Sequence, residues 1–377
     1  RKKEEGIIQI AGCVNSQKTH LMYALGDGCE YRVIAFSSEE KAKRAYEEYR
    51  FLTEDVYLYP ARDLLFYYAD IKGKVLTGQR MEVLRALIEK KTGTSLTVIT
   101  TMDAFLDGLS APEEIRKRRI WLKSGDEISF SEFQSRLSAM GYERESQIEG
   151  PGQFAVRGGI LDVFPLTEEL PVRIELWGDE IDSIRSFDVE SQRSVENLEE
   201  VVIYPASENC GEEAGTVSFL DYFPKKESLL FLDEPLRLRE EAEAVETEYF
   251  HSRENRDEAG IDLEEEELKV FQTKEIIERM NAYSGIGFTT LESKCGPFRV
   301  RKTYSIQTKG VNPYNNSFEL LTRDLKRLKR SGYRVVLLSG SRTRAKRLAE
   351  DLRDYDLSSF YSEDMERTVN PGEIMVS

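Results

Sequence analysis

Histidine and cysteine are scarce in this chain of 377 residues, and their scarcity excludes several classes of function. The chain has two histidines, which stand far apart at His20 and His251. The four cysteines form no Cys-x-x-Cys pair; they are Cys13, Cys29, Cys210 and Cys295. Zinc sites and disulfide frameworks need closely spaced ligands or paired cysteines, so the sequence predicts neither. We therefore expect no metal site, no Cys–His nucleophile and a reduced, cytoplasmic environment.

Long apolar runs are also missing. No apolar run reaches about 18 residues, the length that a transmembrane helix needs. The N-terminus, RKKEEGIIQIAG, lacks the apolar core and small-residue cleavage site of a signal peptide. Because residue 1 is Arg, we expect the sequence to be a piece of a longer open reading frame. Its hydrophobic content of 40% is nevertheless enough to build folded cores.

Positive charge is in short supply. The chain has 53 Lys and Arg against 69 Asp and Glu, a formal net charge of −16. Affinity for DNA depends largely on phosphate neutralisation by Lys and Arg, so this balance argues against nucleic acid as the main partner. A partner with a basic surface is favoured. The alternative is that the acidity only keeps the protein soluble.

Alternating strand and helix patterns predict an α/β fold. Amphipathic patterns predict helices at about 39–50 and 80–90, and apolar runs predict strands at 7–11, 31–36, 56–59, 96–101 and 228–234. Such alternation is typical of a parallel sheet covered by helices. From about residue 118 the pattern changes to one helix followed by hairpin-rich strands. This change predicts a small α+β domain inserted into the α/β domain, because insertions are tolerated where chain ends lie close together.

The predicted organisation has four segments. Residues 1–117 and 201–300 form the two parts of the α/β domain, 118–200 the inserted domain, and 301–377 a further small α/β domain. The last segment has a basic amphipathic helix at 318–331, whose basic face is either solvated, the favoured interpretation, or in contact with nucleic acid or a partner. The segment ends on a strand-like stretch, so we expect it to be cut short. The acidic run Glu264–Glu267 is predicted to be solvated.

Two motifs suggest a degenerate nucleotide site. The first strand is followed by Gly12, four residues, and then Gln17-Lys18-Thr19, where a phosphate-binding loop would read G-x4-G-K-[ST]. A Gln at the second glycine adds a side chain where phosphate oxygens should lie. An apolar strand ending in Asp233-Glu234 resembles the Mg²⁺-binding position of helicase-type ATPases, although taken alone it is equally consistent with a strand followed by a polar turn. Together they indicate a helicase-like α/β domain that has lost ATP binding.

A row of outward side chains is predicted between Gly152 and Gly178. At period two, the strand VRIELW turns Val172, Ile174 and Leu176 inward, and its outward residues are Arg173, Glu175 and Trp177. In the strand QFAVR, Phe154 and Val156 face the core, and Gln153, Ala155 and Arg157 face away. Arg and Trp on an exposed face are typical of protein–protein hot spots. The alternative is a solvated face with a cross-strand ion pair.

The segments GQFAVRGGILDVFP and VRIELWGDEIDSIRSFDVESQR resemble the UvrA-binding domain shared by UvrB and the transcription-repair coupling factors (Mfd). The FDVESQR tail and the compact segment YPARDLLFYYADIKGKVLTGQRMEVLRALI are more similar to the coupling factors. The resemblance implies a non-catalytic N-terminal module for transcription-coupled nucleotide excision repair. It would recruit UvrA to RNA polymerase stalled at DNA damage.

The resemblance also implies site residues and partners. The UvrA-binding positions that match are Arg144, Arg157, Arg173, Glu175 and Trp177, while UvrB has an arginine where this chain has Ala155. A C-terminal domain of the same protein is expected to cover this face and hold the protein in check. RNA polymerase, DNA, ATP and Mg²⁺ would be bound by domains that this sequence does not include, including an ATP-driven DNA translocase.

The alternative function is an active UvrB-like enzyme that verifies DNA damage using ATP. It needs an intact phosphate loop and an aromatic hairpin after the stretch Phe66–Asp70, and the sequence has neither. Tyr67 and Tyr68 in that stretch are therefore predicted to be packing residues. A third reading, a stand-alone nucleotide-binding regulator, depends only on Lys18 and Thr19.

Overall fold

The structure is a computed structural model that describes most of the chain in two compact units, residues 1–308 and 309–377. The described residues are 5–14, 16–62, 70–209, 216–258, 269–308, 310–311, 313–315, 317–364 and 367–377, with only the backbone for 70–73 and 256–258. Tyr67, Tyr68, Cys210 and the acidic run at 264–267 lie outside these ranges. No described helix is long and apolar enough to cross a membrane.

The first part of the large unit alternates strands and helices, as predicted. Its elements are β1 (Gly6–Ala11), α1 (Ser16–Leu25), β2 (Tyr31–Phe36), α2 (Glu39–Arg50), β3 (Val56–Tyr59), α3 (Asp70–Glu89), β4 (Leu96–Thr101), β5 (Gly108–Ser110) and α4 (Pro112–Arg118). Ser38 caps α2 by accepting a hydrogen bond from the Lys41 backbone N–H. The structure begins α3 ten residues earlier than the helix predicted at 80–90.

The inserted domain follows α4. Its elements are β6 (Ile120–Lys123), α5 (Phe130–Ala139), β7 (Glu143–Glu145), β8 (Gln153–Arg157), β9 (Ile160–Val163), β10 (Val172–Trp177), β11 (Glu180–Phe187), β12 (Ser194–Leu198) and β13 (Glu200–Ile203). Six strands form one sheet in the order β12-β11-β10-β9-β8-β7. β13 pairs with β6 and adds Val201 and Ile203 to the same core, so this domain continues past residue 200.

The chain then returns to the α/β domain. The elements there are β14 (Thr216–Ser218), β15 (Ser228–Asp233), α6 (Pro235–Glu258), α7 (Thr273–Met280), β16 (Ser284–Thr289) and β17 (Val300–Ser305). Seven parallel strands form the main sheet in the order β17-β1-β16-β15-β2-β4-β3. Alternate residues of β2 enter two apolar clusters, Val33 and Ala35 in one and Ile34 and Phe36 in the other. The sheet is therefore covered on both faces, which confirms the predicted α/β class.

Two strands beside β1 were not predicted. β16 reads SGIGFT, and glycine is depleted in strands. A Cβ on Gly285 would lie 2.9 Å from Ile7 Cγ2, so the glycine allows two buried strands to approach closely. β17 is exposed along its whole length and lacks an apolar pattern. Because β17 pairs with β1, the small unit begins after Thr308 rather than at the predicted residue 301.

Helix α3 of the main domain contacts the inserted domain. Its Lys74 pairs with Glu143, and its Arg85 Nη1 lies 2.6 Å from Glu168 Oε1. Tyr204, just after β13, donates a hydrogen bond to Glu89 of the same helix at 2.8 Å. These contacts join one helix of the main domain to three places in the insert, so α3 sets the insert's position.

The buried guanidinium of Arg80, also on α3, anchors the chain where it leaves the insert. Its Nε donates to Glu208 Oε1 at 2.7 Å and its Nη2 to Asp107 Oδ2 at 2.8 Å. Its Nη1 donates to the Pro60 carbonyl at 2.9 Å, and the ring of Tyr59 lies 4.3 Å from its Cζ. Burial and opposing charges act on both carboxyls: burial raises the pKa of Asp107, whereas for Glu208 the guanidinium groups outweigh burial and lower it.

The described part of the small unit contains a three-stranded parallel sheet and two helices. Its elements are α8 (Phe318–Arg330), β18 (Val335–Leu337), α9 (Arg342–Arg353), β19 (Ser359–Tyr361) and β20 (Ile374–Val376). The strand order is β18-β20-β19. Leu325 of α8 and Ala349 of α9 enter the same cluster as Val335 and Ile374, so both helices cover one face of the sheet.

Candidate functional site

The alternation predicted for β10 is present in the structure. Val172 and Ile174 are buried in the core of the inserted domain. Arg173 and Glu175 lie on the outer face of the six-stranded sheet, and Trp177 is 85% exposed. We call this side of the sheet the outer face; it comprises the outward residues of β8 to β11.

Arg173 is not the free, solvent-directed side chain that the sequence suggested. Its Nε lies 2.7 Å from Asp162 Oδ1 and its Nη2 lies 2.9 Å from Asp162 Oδ2, a bidentate pair. The guanidinium also donates to the backbone and side chain of Gln192, and it stacks 4.3 Å above the ring of Phe187. Its side chain is only 16% exposed, and that of Asp162 is 2% exposed. The hydrogen bonds with Asp162 raise the pKa of Arg173, so the guanidinium stays charged.

Two further arginines complete a network on the outer face. Arg157 Nη2 lies 3.1 Å from Asp162 Oδ2, and this arginine is half exposed. Arg185 pairs with Glu175, which also accepts a hydrogen bond from Ser183 at 3.2 Å. The cross-strand ion pairs of the alternative interpretation are therefore present. The network holds three guanidinium groups against two carboxylates.

Asp162 lies at the centre of this network and was not predicted from the sequence. It lies in the otherwise apolar strand ILDV, directly opposite Arg173. A single carboxylate in an apolar strand needs a partner when it is buried, and that signal could have identified it.

The structure separates two other predicted positions from the network. Arg144 is exposed on the edge strand β7 and lies opposite Phe154, whose side chain is in the core, so it belongs to the other side of the sheet. Ala155 does face away from the main core, as predicted, but it is buried in a second cluster with Ile148, Phe164 and Phe187. An arginine at 155 would have to displace this cluster, so the incomplete arginine set has a packing reason.

The residues of the predicted degenerate nucleotide site lie at the carboxyl ends of β1 and β15. Lys18 Nζ lies 2.6 Å from Asp233 Oδ1 and 2.8 Å from Glu234 Oε1. Burial lowers the pKa of Lys18, but the two carboxylates raise it by more, so the amine stays charged and paired. Thr290 holds Glu234 from the other side through its N–H and hydroxyl, at 2.7 and 2.6 Å.

Other residues of the protein occupy the space around the loop between β1 and α1 and bond to its polar groups. Gly12 has φ +89°, and a Cβ there would lie 1.8 Å from the carbonyl oxygen of Ile306. Gln17 Oε1 accepts the backbone N–H of Val14 at 3.4 Å, a group that would face phosphate in an open loop. The hydroxyl of Thr19 donates to Glu48 at 2.8 Å. The site residues therefore bond to one another, and the arrangement does not fit a Mg²⁺–nucleotide.

A cleft of about 540 Å³ adjoins this site, lined by Lys18, Phe36, Lys41, Arg44, Glu234 and Leu291 among others. Its position follows from the parallel sheet, since ligand clefts of such sheets lie at the carboxyl ends of the strands. Within the described ranges, no group of three or more His, Cys, Asp or Glu is placed to hold a metal ion.

Comparisons with known proteins found similarities both for the inserted domain and for most of the chain. Residues 120–209 match the family model of the UvrB interaction domain. The chain is 25% identical over 395 residues to the transcription-repair-coupling factor of Bacillus subtilis (strain 168), which covers 89% of the chain and 33% of that protein. Over 155 residues it is 40% and 41% identical to those of Staphylococcus aureus (strain bovine RF122 / ET3-1) and Staphylococcus haemolyticus (strain JCSC1435), covering 41% of the chain and 13% of each relative.

The chain thus spans about a third of the length of the Bacillus subtilis relative. The similarities confirm the resemblance found in the sequence, to the N-terminal region of transcription-repair coupling factors. The matched range begins at β6 and ends one residue after Glu208, the partner of Arg80, so it coincides with the inserted domain of the structure.

Proposed function

We propose that this chain is a docking module of a transcription-repair coupling factor that recruits UvrA through the outer face of its inserted domain. The match of residues 120–209 to the UvrB interaction domain is the observation that carries the proposal. The geometry supports it, because the outer face has fixed arginines beside an exposed tryptophan. Such a face loses little conformational entropy when a partner covers it. The role belongs to nucleotide excision repair in the cytoplasm.

Within this face we assign direct contact to Trp177 and Arg157, since both are exposed. Glu175 and Arg173 are held in ion pairs and act by fixing the arrangement. Arg144 lies on the other side of the sheet and is assigned no contact, in contrast to the prediction from resemblance. A C-terminal domain that covers the face, and contacts with RNA polymerase and DNA elsewhere in the whole protein, are further parts of the proposal.

We expect Trp177→Ala to weaken binding of UvrA by about 2 kcal/mol or more, as loss of an exposed aromatic anchor does. The free energy of unfolding should change by less than about 0.5 kcal/mol, because the side chain is 85% exposed. Isothermal titration calorimetry with purified UvrA measures the first quantity and urea unfolding the second.

Trp121→Ala is the matched control for this experiment. Trp121 is 54% exposed on β6, which pairs with β13 and is not part of the six-stranded sheet. It should bind UvrA like the unchanged chain. If Trp177→Ala binds normally while Trp121→Ala does not, the docking face has been assigned to the wrong sheet.

We also propose that this module is not an enzyme and binds no ATP. An active UvrB-like ATPase, the alternative function, would need Lys18 free to reach phosphates, but this amine is held by two carboxylates. Calorimetric titration with Mg²⁺–ATP should give no binding tighter than about 1 mM.

Gln17→Gly should not restore binding, because Lys18 remains paired and Ile306 still lies over Gly12. This differs from the sequence-based view that the missing glycine is the main obstacle. A dissociation constant clearly below about 1 mM for the unchanged chain would contradict the proposal. Tight binding by Gln17→Gly alone would show that residue 17 is the obstacle after all.

A further inference from the structure

The small unit has a charge balance opposite to that of the rest of the chain. Residues 309–377 contain 13 Lys and Arg against 10 Asp and Glu, whereas residues 1–308 contain 40 against 59. The acidity that argues against a polyanionic partner therefore belongs to the large unit alone. The small unit has to be considered by itself.

Helix α8 carries this positive charge on one face. Thr322 and Leu325 are buried, and Leu321 and Leu328 pack against the core of the small unit. The opposite face presents Arg323, Arg327 and Arg330, which recur at the i, i+4, i+7 spacing of one helix face. We call these three residues the arginine stripe. It extends over about 10 Å, since each residue of a helix rises about 1.5 Å.

The arginine stripe has little internal compensation. Arg327 pairs with Asp324 at 3.0 Å while remaining 66% exposed. Among the described residues, Arg323 and Arg330 form no ion pair. Helix α9 covers the same face of the sheet and adds the exposed residues Arg344 and Arg347 to the outward side of this two-helix layer. A helix that only needed a solvated face would gain more from alternating charges.

We propose that the arginine stripe of α8 is a contact surface for a nucleic-acid backbone. Guanidinium groups bind phosphates in a bidentate manner, and a straight row of three suits a regularly repeating row of phosphates. The residues next to the stripe on the same face are Glu319, Leu320 and Lys326, none of them aromatic, so this helix face itself offers no base stacking. Contact with the backbone alone is therefore expected, without preference for base sequence. The acidic large unit makes this binding weak and confined to low salt.

The test compares variants of the whole 377-residue chain. A fluorescein-labelled duplex of about 25 base pairs is titrated by anisotropy between about 30 and 150 mM salt. Three phosphate contacts predict a slope of log K against log salt of about −2.7 for the unchanged chain. The triple variant Arg323→Gln/Arg327→Gln/Arg330→Gln should lose about tenfold or more in affinity at low salt, and its slope should be close to zero. Glutamine is a good helix former, so circular dichroism should show α8 intact.

The matched control removes the same charge from the large unit. Lys91→Gln/Lys117→Gln/Lys226→Gln changes three exposed lysines and should alter the affinity less than threefold. Equal losses in both triple variants would overturn the proposal, because only net charge would then matter.

Absence of duplex binding at about 30 mM salt would also overturn it. A polyglutamate probe that binds the stripe as tightly as DNA would point to an acidic protein partner instead. If the triple variant unfolds, Arg323→Gln alone should still reduce the slope by about one.

Discussion

Replacing Arg80 by Met should lower the free energy of unfolding by about 3–5 kcal/mol or prevent folding altogether. The side chain is 1% exposed and lies between Glu208 and Asp107, which are equally buried. Without this guanidinium, both carboxylates would face only Arg62, whose Nη2 lies 3.3 Å from Glu208 Oε2 and whose Nε lies 3.9 Å from Asp107 Oδ2. Breaking a buried ion pair on one side leaves an uncompensated charge, which costs far more than the pair itself contributes. The effect should be largest where the insert joins the main domain.

The dependence of the free energy of unfolding on pH shows whether uncompensated charge causes the instability of Arg80→Met. In the unchanged chain the pKa of Glu208 is lowered and that of Asp107 is raised, so as pH falls the stability lost at Glu208 is opposed by stability gained at Asp107. In Arg80→Met burial raises both carboxyl pKa values, so stability should increase as pH falls from 7 towards 5. Urea unfolding at both pH values measures this.

The double variant Arg80→Met/Asp107→Asn provides the control for charge. It should recover most of the lost stability at pH 7, because Glu208 keeps Arg62 as its partner and no buried charge is left over. If it is as unstable as Arg80→Met, the loss comes from packing around Tyr59 and Phe219, whose rings stack at 3.6 Å, rather than from charge.

The main sheet could be predicted from sequence where its strands are continuous apolar runs. β1, β2, β4 and β15 were found because strands buried on both faces need such runs, and the half-buried edge strand β3 was found from its own short run. β16 was missed since Gly285 meets Ile7 too closely for any side chain, a constraint that only the neighbouring strand reveals. β17 was missed because an exposed edge strand needs no apolar pattern. The apolar run of β3 was recognised although β3 is an edge strand, whereas β16 was missed inside the sheet, so the apolar run rather than the position in the sheet decides what the sequence predicts.

The sequence predicted to which face of the sheet the side chains of the candidate site point, but not which groups they bind. Period-two alternation placed Arg173 on the outer face, because successive side chains of a strand point to opposite faces of the sheet. That Arg173 is bound there depends on Asp162, eleven residues earlier, and on Gln192, nineteen residues later. Contacts across strands follow from register, and register depends on the whole sheet. In the same way, the sequence showed Gln17 at the phosphate loop but not Ile306 above it.

Arg173→Ala should lower the free energy of unfolding of the inserted domain by about 2–3 kcal/mol, in contrast to the small effect expected for an exposed arginine. Asp162 would keep Arg157 as its one charged partner, and Arg157 is half exposed and so compensates it poorly. Phe187 would lose the guanidinium stacked on its ring. Arg157→Ala, on the same carboxylate but exposed, should cost less than about 1 kcal/mol. Urea unfolding followed by tryptophan fluorescence distinguishes the two variants.

Binding to UvrA then shows how Arg173 acts. In the double variant Asp162→Asn/Arg173→Gln a neutral hydrogen-bonded pair replaces the ion pair, so the fold should recover without the guanidinium. Because only 16% of the Arg173 side chain is exposed, we expect calorimetric binding of UvrA to recover with the fold to within about fivefold. That result would make Arg173 a positioning residue, with Trp177 and Arg157 in contact with the partner. If stability returns and binding does not, the guanidinium itself touches UvrA, and the outer face must open its Asp162 pair when the partner docks.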